Sequence, residues 1–128
     1  MTIIVTDAGF ATDNWLSRLS SQEILDIPGD VELADITGKL HRIKAIRITF
    51  ADFTDGRGLG LARGLRDAGY DGHLRATGDI LPDQYTMLRR VGFDGVEITD
   101  VQAKTYPQDQ WQFRNRWQQH DYQRRLQG

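Results

Sequence analysis

The strongest constraint on the fold of this 128-residue chain is an eight-residue pattern that occurs twice. Each copy is typical of a helix end, a glycine stop, an aromatic residue, an Asp-Gly turn and a short strand. Recurrence after 23 residues predicts successive βα units, whose strand ends meet at the edge of a sheet where α/β proteins place their sites. The two copies are Leu65-Arg66-Asp67-Ala68-Gly69-Tyr70-Asp71-Gly72 and Leu88-Arg89-Arg90-Val91-Gly92-Phe93-Asp94-Gly95.

Length and composition limit the protein class. A chain of 128 residues is predicted to be one domain, long enough to bury roughly two thirds of its unfolded surface. The absence of cysteine excludes disulfides, thiolate metal sites and thiol redox chemistry. No apolar run approaches the roughly 20 residues of a membrane span, and a net charge of −2 argues against a general nucleic-acid binder. These features predict a soluble, cytoplasmic, bacterial-type protein.

Residues 43–98 carry the clearest secondary-structure pattern. They are predicted to form a βαβαβ core of three parallel, adjacent strands, because right-handed crossovers place successive strands in the same direction. The fold class is therefore α/β, either part of a TIM-like (β/α) barrel or half of an open doubly wound sheet. The predicted strands are 43–50, 73–77 and 96–98, with helices near 58–68 and 82–91.

The flanking segments are less regular. Residues 1–42 are predicted to be an irregular, β-containing segment that wraps the core, with a helical turn or two between Ser17 and Ile27 and an edge strand at Val31–Ile36. Residues 104–128 carry five basic and two acidic side chains, a local charge of +3, and their aromatic spacing predicts a helix.

The aromatic and arginine-rich C-terminal segment has three interpretations. Its rings pack on the sheet, form an interface with a second copy or an acidic partner, or bind nucleic acid. Large aromatic residues and arginine are enriched among interface anchors, and a three-stranded core leaves sheet edges that need covering. These arguments predict a homo-oligomer, with no nucleic-acid or membrane partner. The predicted interface anchors are Trp111, Phe113, Trp117 and Tyr122.

A glycine-rich segment follows the first core strand. Residues 55–60 read Asp-Gly-Arg-Gly-Leu-Gly, and unobstructed backbone N–H groups at a helix start bind anions well. The guanidinium of Arg57 would add a fork for phosphate or a sulfur oxyanion. The glycine spacing is not the dinucleotide-binding fingerprint, and the P-loop lysine is absent. The alternative is a tight turn in which the glycines supply positive φ and Asp55 caps the helix.

Further polar residues fall at or beyond the ends of the first two core strands. With the glycine-rich segment they would form one polar cleft for a small anion, in which Asp55 or Asp79 is a candidate general acid or base. The alternative is that the aspartates are helix caps and the arginines surface ion-pair partners. No cofactor fingerprint or metal-ligand spacing is present, so neither group is predicted. The candidate ligand-binding residues are Asp52, Asp55, Gly56, Arg57, Gly58, Arg75, Asp79, Asp83 and Gln84.

Several of these motifs resemble the bacterial domain-of-unknown-function family 934. Its pattern runs roughly F-x-x-F-x-D-G-R-G, A-R-x-L-R, L-R-A-x-G-D-V-L-x-D-Q and R-C-G-F-D. Residues 50–58, 62–66, 74–84 and 90–94 match that pattern. Members are commonly described as oxidoreductases of sulfite reduction, because their genes accompany sulfite reductase genes. That description assigns no catalytic residue.

The chain departs from the family pattern in three places. Leu59 and Gly60 replace an aromatic residue and a serine, Pro82 replaces a basic residue, and Val91 replaces a frequent cysteine. The resemblance therefore implies an accessory protein of assimilatory sulfite reduction, which docks to sulfite reductase or its electron donor and handles a small oxyanion. The alternative is a small (β/α)-type enzyme that acts on a phosphorylated or sulfonated metabolite, so whether the chain is an enzyme stays open.

Overall fold

A computed structural model describes residues 2–12 and 15–112. Six strands and four α-helices lie within these residues, together with 3₁₀ turns at Leu16–Arg18, Leu33–Asp35, Thr37–Arg42 and Pro82–Gln84. The strands are β1 (Ile3–Thr6), β2 (Gly9–Thr12), β3 (Ile24–Pro28), β4 (Ala45–Phe50), β5 (His73–Gly78) and β6 (Gly95–Ile98). The helices are α1 (Arg57–Asp67), α2 (Tyr85–Val91), α3 (Asp100–Thr105) and α4 (Gln108–Gln112).

All six strands join one mixed sheet in the order β2-β1-β6-β5-β4-β3. The strands β3, β4, β5 and β6 are parallel neighbours, whereas β1 is antiparallel to both β6 and β2. The α/β class is therefore confirmed. The strands at 45–50, 73–78 and 95–98 are adjacent and parallel, and the sheet continues beyond them on both sides.

The N-terminal part of the chain differs from the predicted wrapper, because it supplies three strands of the sheet itself. The edge strand predicted at Val31–Ile36 is wrong, since a 3₁₀ turn lies at Leu33–Asp35. The edge strand is Ile24–Pro28, where a helical turn was expected. Its isoleucines suit a strand, and Pro28 is tolerated because an edge strand needs hydrogen bonds on one side only.

The repeated pattern forms two equivalent helix ends. Gly69 and Gly92 follow α1 and α2 with φ angles of 96° and 116°, a left-handed conformation that glycine adopts without strain. The next residue in each copy is buried and folds back onto its helix, with Tyr70 N donating to Leu65 O and Phe93 N to Leu88 O, both at 3.0 Å. Both ends turn the chain into the next parallel strand.

Arg66 links the two helix ends. Its Nε and Nη2 atoms both donate to the carbonyl of Gly92, at 3.0 and 2.8 Å. Its Nη1 atom donates to the carbonyls of Tyr70 and Gly72, at 2.9 and 2.8 Å. Nη2 also forms an ion pair with Asp94 at 3.0 Å. One side chain therefore satisfies three carbonyl groups left after the two helices.

The main core lies between the sheet and the α1–α2 layer. Alternate residues of the central strands point into it, as the two-residue period of a strand requires. Leu65 of α1 and Leu88 of α2 are 0% and 2% exposed against these strands. This layer fixes one end of the sheet, where β4 and β5 lead into the two helices.

The first turn of α1 provides a matched pair of glycines. A Cβ atom at Gly58 would lie 2.6 Å from Cζ of Phe50, whereas one at Gly60 would meet no atom within 4 Å. Gly60→Ala should therefore raise the free energy of unfolding by about 0.5–1 kcal/mol, because alanine is the better helix former. Gly58→Ala should lower it by about 1–3 kcal/mol through overpacking. Urea denaturation of both variants measures the difference, and equal effects would contradict this packing.

Candidate functional site

The site begins where β5 ends beside β4. Gly78 has a φ angle of 103°, and a Cβ atom there would lie 2.3 Å from the carbonyl oxygen of Phe50. Only glycine permits this approach. The close contact lets Asp79 N donate to Phe50 O at 2.9 Å. The turn thus places the Asp79 side chain beside the loop that follows β4.

The loop is held through the backbone of one residue, Phe53. Its N–H donates to Oδ2 of Asp79 at 3.1 Å, and its carbonyl accepts from Nε2 of Gln84 at 2.7 Å. The other end of the same amide, Oε1 of Gln84, accepts from Leu81 N at 2.8 Å. We call these contacts of Asp79 and Gln84 with the Phe53 backbone the Phe53 clamp. Two side chains that the sequence suggested as ligand-binding therefore hold a loop.

A crevice of about 260 Å³ lies between this loop, the start of α1 and the start of α2. Phe53 and Met87 stand at it with 45% and 55% of their surface exposed. Most of its lining is apolar, and its charged lining residues are the carboxylates of Asp55 and Asp83. Its lining residues are Phe50, Phe53, Thr54, Asp55, Gly56, Leu59, Ile80, Asp83, Gln84, Met87 and Leu88.

The carboxylate of Asp55 forms an ion pair with the guanidinium of Arg57. The carboxylate accepts from Nη2 and Nε of Arg57, at 2.8 and 3.0 Å, and from its backbone N–H at 3.1 Å. The side-chain hydrogen bonds from Arg57 are the main cause that lowers the pKa of Asp55 to about 2. Asp55 is therefore an ionised group at the start of α1. The Nη1 atom of Arg57 also lies 3.8 Å from Oδ2 of Asp30.

The pKa of Asp55 can be measured directly. Carboxyl ¹³C titration should give a midpoint near 2, and Arg57→Ala should raise it toward the ordinary value of about 4. Because the folded-state pKa is the lower one, this carboxylate favours folding above roughly pH 4. That contribution should fade as the pH falls toward about 2. A midpoint near 4 in the unchanged protein would contradict the Asp55–Arg57 contact.

Arg75 lies on the other face of the sheet. Its neighbours Leu74 and Ala76 are buried in the core between the sheet and the helices. Because successive side chains of a strand point to opposite faces, Arg75 points away from the helices. Its side chain is 3% exposed and bonds to Glu97 at 3.0 Å. Arg47, beside it on β4, lies 3.4 Å from the same carboxylate. The predicted convergence of Arg57 and Arg75 in one cleft does not occur.

The profile of the family described as "Bacterial protein of unknown function (DUF934)" matches residues 25–127. The chain belongs to the DUF934 family. No curated protein and no solved structure matches it.

The DUF934 match includes every residue of the crevice. The predicted site residues lie in several different places. Asp55, Gly56, Asp83 and Gln84 line the crevice. Asp79 holds its loop, and Asp52 accepts from Thr54 N within that loop at 2.8 Å. Gly58 packs on Phe50 inside α1, and Gly56 has a φ angle of −87°. Arg57 pairs with Asp55, and Arg75 lies on the opposite face.

Sequence reasoning missed the two exposed apolar residues at the crevice of this DUF934 chain. Phe53 is an aromatic residue among polar loop neighbours, and Met87 falls outside the apolar stripe of α2. Both could have been found from the sequence, because each is a large apolar side chain at a position where burial is not predicted.

The described part of the C-terminal segment is not one helix from residue 104, because α3 and α4 are separated at Tyr106 and Pro107. Trp111 is 1% exposed, and its Nε1 donates to Tyr106 O at 2.9 Å. The burial of Trp111 agrees with the interpretation in which the aromatic rings of this segment pack on the sheet. The other predicted anchors, Phe113, Trp117 and Tyr122, lie outside the described residues. Their role and the homo-oligomer stay predictions.

Within residues 2–12 and 15–112, no three His, Asp or Glu side chains are grouped so as to hold a metal ion. None of the helices in this part of the chain has the length and apolarity that a membrane span requires.

Proposed function

We propose that this chain is an accessory protein of assimilatory sulfite reduction that works in the cytoplasm by binding another protein. The observation that carries the proposal is the Phe53 clamp. Asp79 and Gln84, two polar residues of the family motif, fix the backbone of a phenylalanine that is 45% exposed. Exposed aromatic residues held in place are typical anchors of protein interfaces.

The contacts of the two candidate catalytic groups also favour binding over catalysis. A general acid or base works best when its pKa lies near the operating pH. The pKa of Asp55 is lowered to about 2 by its contacts with Arg57. Asp79 Oδ2 already accepts from the backbone of Phe53. The enzyme alternative, with Asp55 or Asp79 as acid or base, is therefore the less favoured proposal.

The crevice is also poorly suited to a small oxyanion. Its charged lining residues in the described structure are Asp55 and Asp83, which would repel sulfite or phosphate. The guanidinium of Arg57 is directed to Asp55, at 2.8 Å, and Arg75 is on the other face. The accessory role that we propose is therefore protein binding and does not include the handling of an oxyanion.

The link to sulfite reduction comes from the family resemblance, whose members' genes accompany sulfite reductase genes. The proposed partner is accordingly sulfite reductase or its electron donor. A strain that lacks this gene should grow like the parent on cysteine and poorly on sulfate and on sulfite. Restoring the gene on a plasmid controls for secondary mutations. Growth on sulfate equal to the parent would contradict the proposed role.

A further inference from the structure

We infer that the crevice binds a segment of a separate protein, in which a large apolar side chain is flanked by lysine or arginine. This inference rests on the proposed function, because it names the chemistry of the partner that the accessory role requires. The size of the crevice, its apolar lining, its charge and the fixed position of its loop all favour this occupant.

The apolar part of the crevice suits one inserted side chain. Among the described residues four large hydrophobic side chains are exposed, and Phe53 and Met87 belong to the same crevice. Adjacent exposed apolar groups indicate an interaction site more strongly than scattered ones. A volume of about 260 Å³ lies below the roughly 300–1,000 Å³ of small-molecule pockets. A single leucine or aromatic side chain is a better match than a cofactor.

The negative charge of the crevice favours positively charged residues on either side of the inserted apolar side chain. The lining residues lie in two segments, residues 50–59 and 80–88, which contain three carboxylates and one guanidinium, a net charge of −2. A backbone hydrogen bond from Thr54 lowers the pKa of Asp52, and Arg57 lowers that of Asp55, so both are ionised at neutral pH. Complementary charge raises association rates and excludes partners of the same sign. A cationic segment fits, and an acidic electron carrier would be repelled.

The Phe53 clamp reduces the entropic cost of binding. Both backbone groups of Phe53 are bonded to side chains from the next strand-to-helix connection, at 3.1 and 2.7 Å. A loop already fixed in its bound conformation loses less freedom when a partner arrives. The clamp therefore explains how an exposed phenylalanine can contribute to affinity.

Selection from a random peptide library displayed on phage tests the inference with the full-length chain as bait. We expect enriched peptides with one large apolar residue flanked by lysine or arginine. Their affinity should fall at least tenfold for Phe53→Ser. Asp83→Asn should weaken binding and reduce its salt dependence. Val101→Ser is the matched control, since Val101 is 71% exposed on α3 and should leave binding unchanged.

Three outcomes would overturn the inference: no enrichment, enrichment of acidic or uncharged peptides, or binding that Phe53→Ser leaves intact. Peptides similar to residues 113–128 would identify the chain's own C-terminal segment as the occupant, which also overturns a separate partner. The selection does not depend on sulfur metabolism. A failed growth test with a successful selection would therefore refute sulfite reduction alone, and the reverse result would refute only the crevice chemistry.

Discussion

Replacement of Arg66 with methionine should lower the free energy of unfolding by about 3 kcal/mol, because hydrogen bonds from a charged group to part-buried carbonyls are costly to lose. The guanidinium bonds to the carbonyls of Tyr70, Gly72 and Gly92 at 2.8–3.0 Å. Methionine keeps much of the apolar stem and removes every donor. The carbonyl groups would then lack the partner that joins the ends of α1 and α2.

Arg63→Met is the matched control for this prediction. Arg63 is exposed on the same helix, so its replacement should change the free energy of unfolding by less than about 0.5 kcal/mol. Urea denaturation of the two variants gives the comparison. If both variants were equally stable, Arg66 would not link the two helix ends in solution.

Trp111→Ala should also destabilise the fold strongly, by about 3–5 kcal/mol, as expected for truncation of a buried large aromatic residue. Trp111 is 1% exposed, its ring meets Tyr85 edge-on at 6.5 Å, and its N–H bonds to Tyr106 O. Its helix α4 packs against β2 and the 3₁₀ turn before α2.

A second tryptophan provides the comparison. Trp15 is 39% exposed and stands edge-on to His73 at 5.0 Å, so Trp15→Ala should cost clearly less than Trp111→Ala. Thermal unfolding together with sedimentation distinguishes packing from association. Unchanged stability with altered sedimentation in Trp111→Ala would contradict the packing and favour an interface.

The sequence was most informative where local signals agree. The β-branched run before Phe50 predicted the strand that the structure places at Ala45–Phe50, and the two glycine stops predicted the ends of α1 and α2. The strands β1, β2 and β3 have only four or five residues each. The place of β1 in the sheet depends on β6 and that of β3 on β4, both later in the chain, and β2 joins the sheet through β1. Short strands with distant partners leave little local pattern to read.

The candidate site was predicted less well, for a physical reason. An aspartate at a strand end can bind a ligand or accept a backbone N–H, and the sequence does not distinguish the two for Asp79. The face of the sheet on which Arg75 lies was predictable. Its neighbours Leu74 and Ala76 are apolar and belong on the helix-covered face, so the alternation of a strand places Arg75 on the opposite face. The crevice could not be predicted without the fold, because Phe53 and Met87, which line it, are 34 residues apart in the chain.

Complementation of the deletion strain tests most directly whether the chain works through Phe53 or through a catalytic carboxylate. Asp55→Asn and Asp79→Asn remove acid–base chemistry, and the asparagine at 79 keeps an oxygen that can accept from Phe53 N. Phe53→Ser removes the exposed ring and leaves both carboxylates. We predict that both asparagine variants restore growth on sulfate, because they keep the exposed ring and Asp55→Asn removes only part of the negative charge of the crevice. Phe53→Ser, at equal protein level, should not restore it. Restored growth with Phe53→Ser and failure with either asparagine variant would contradict a binding role and favour an enzyme.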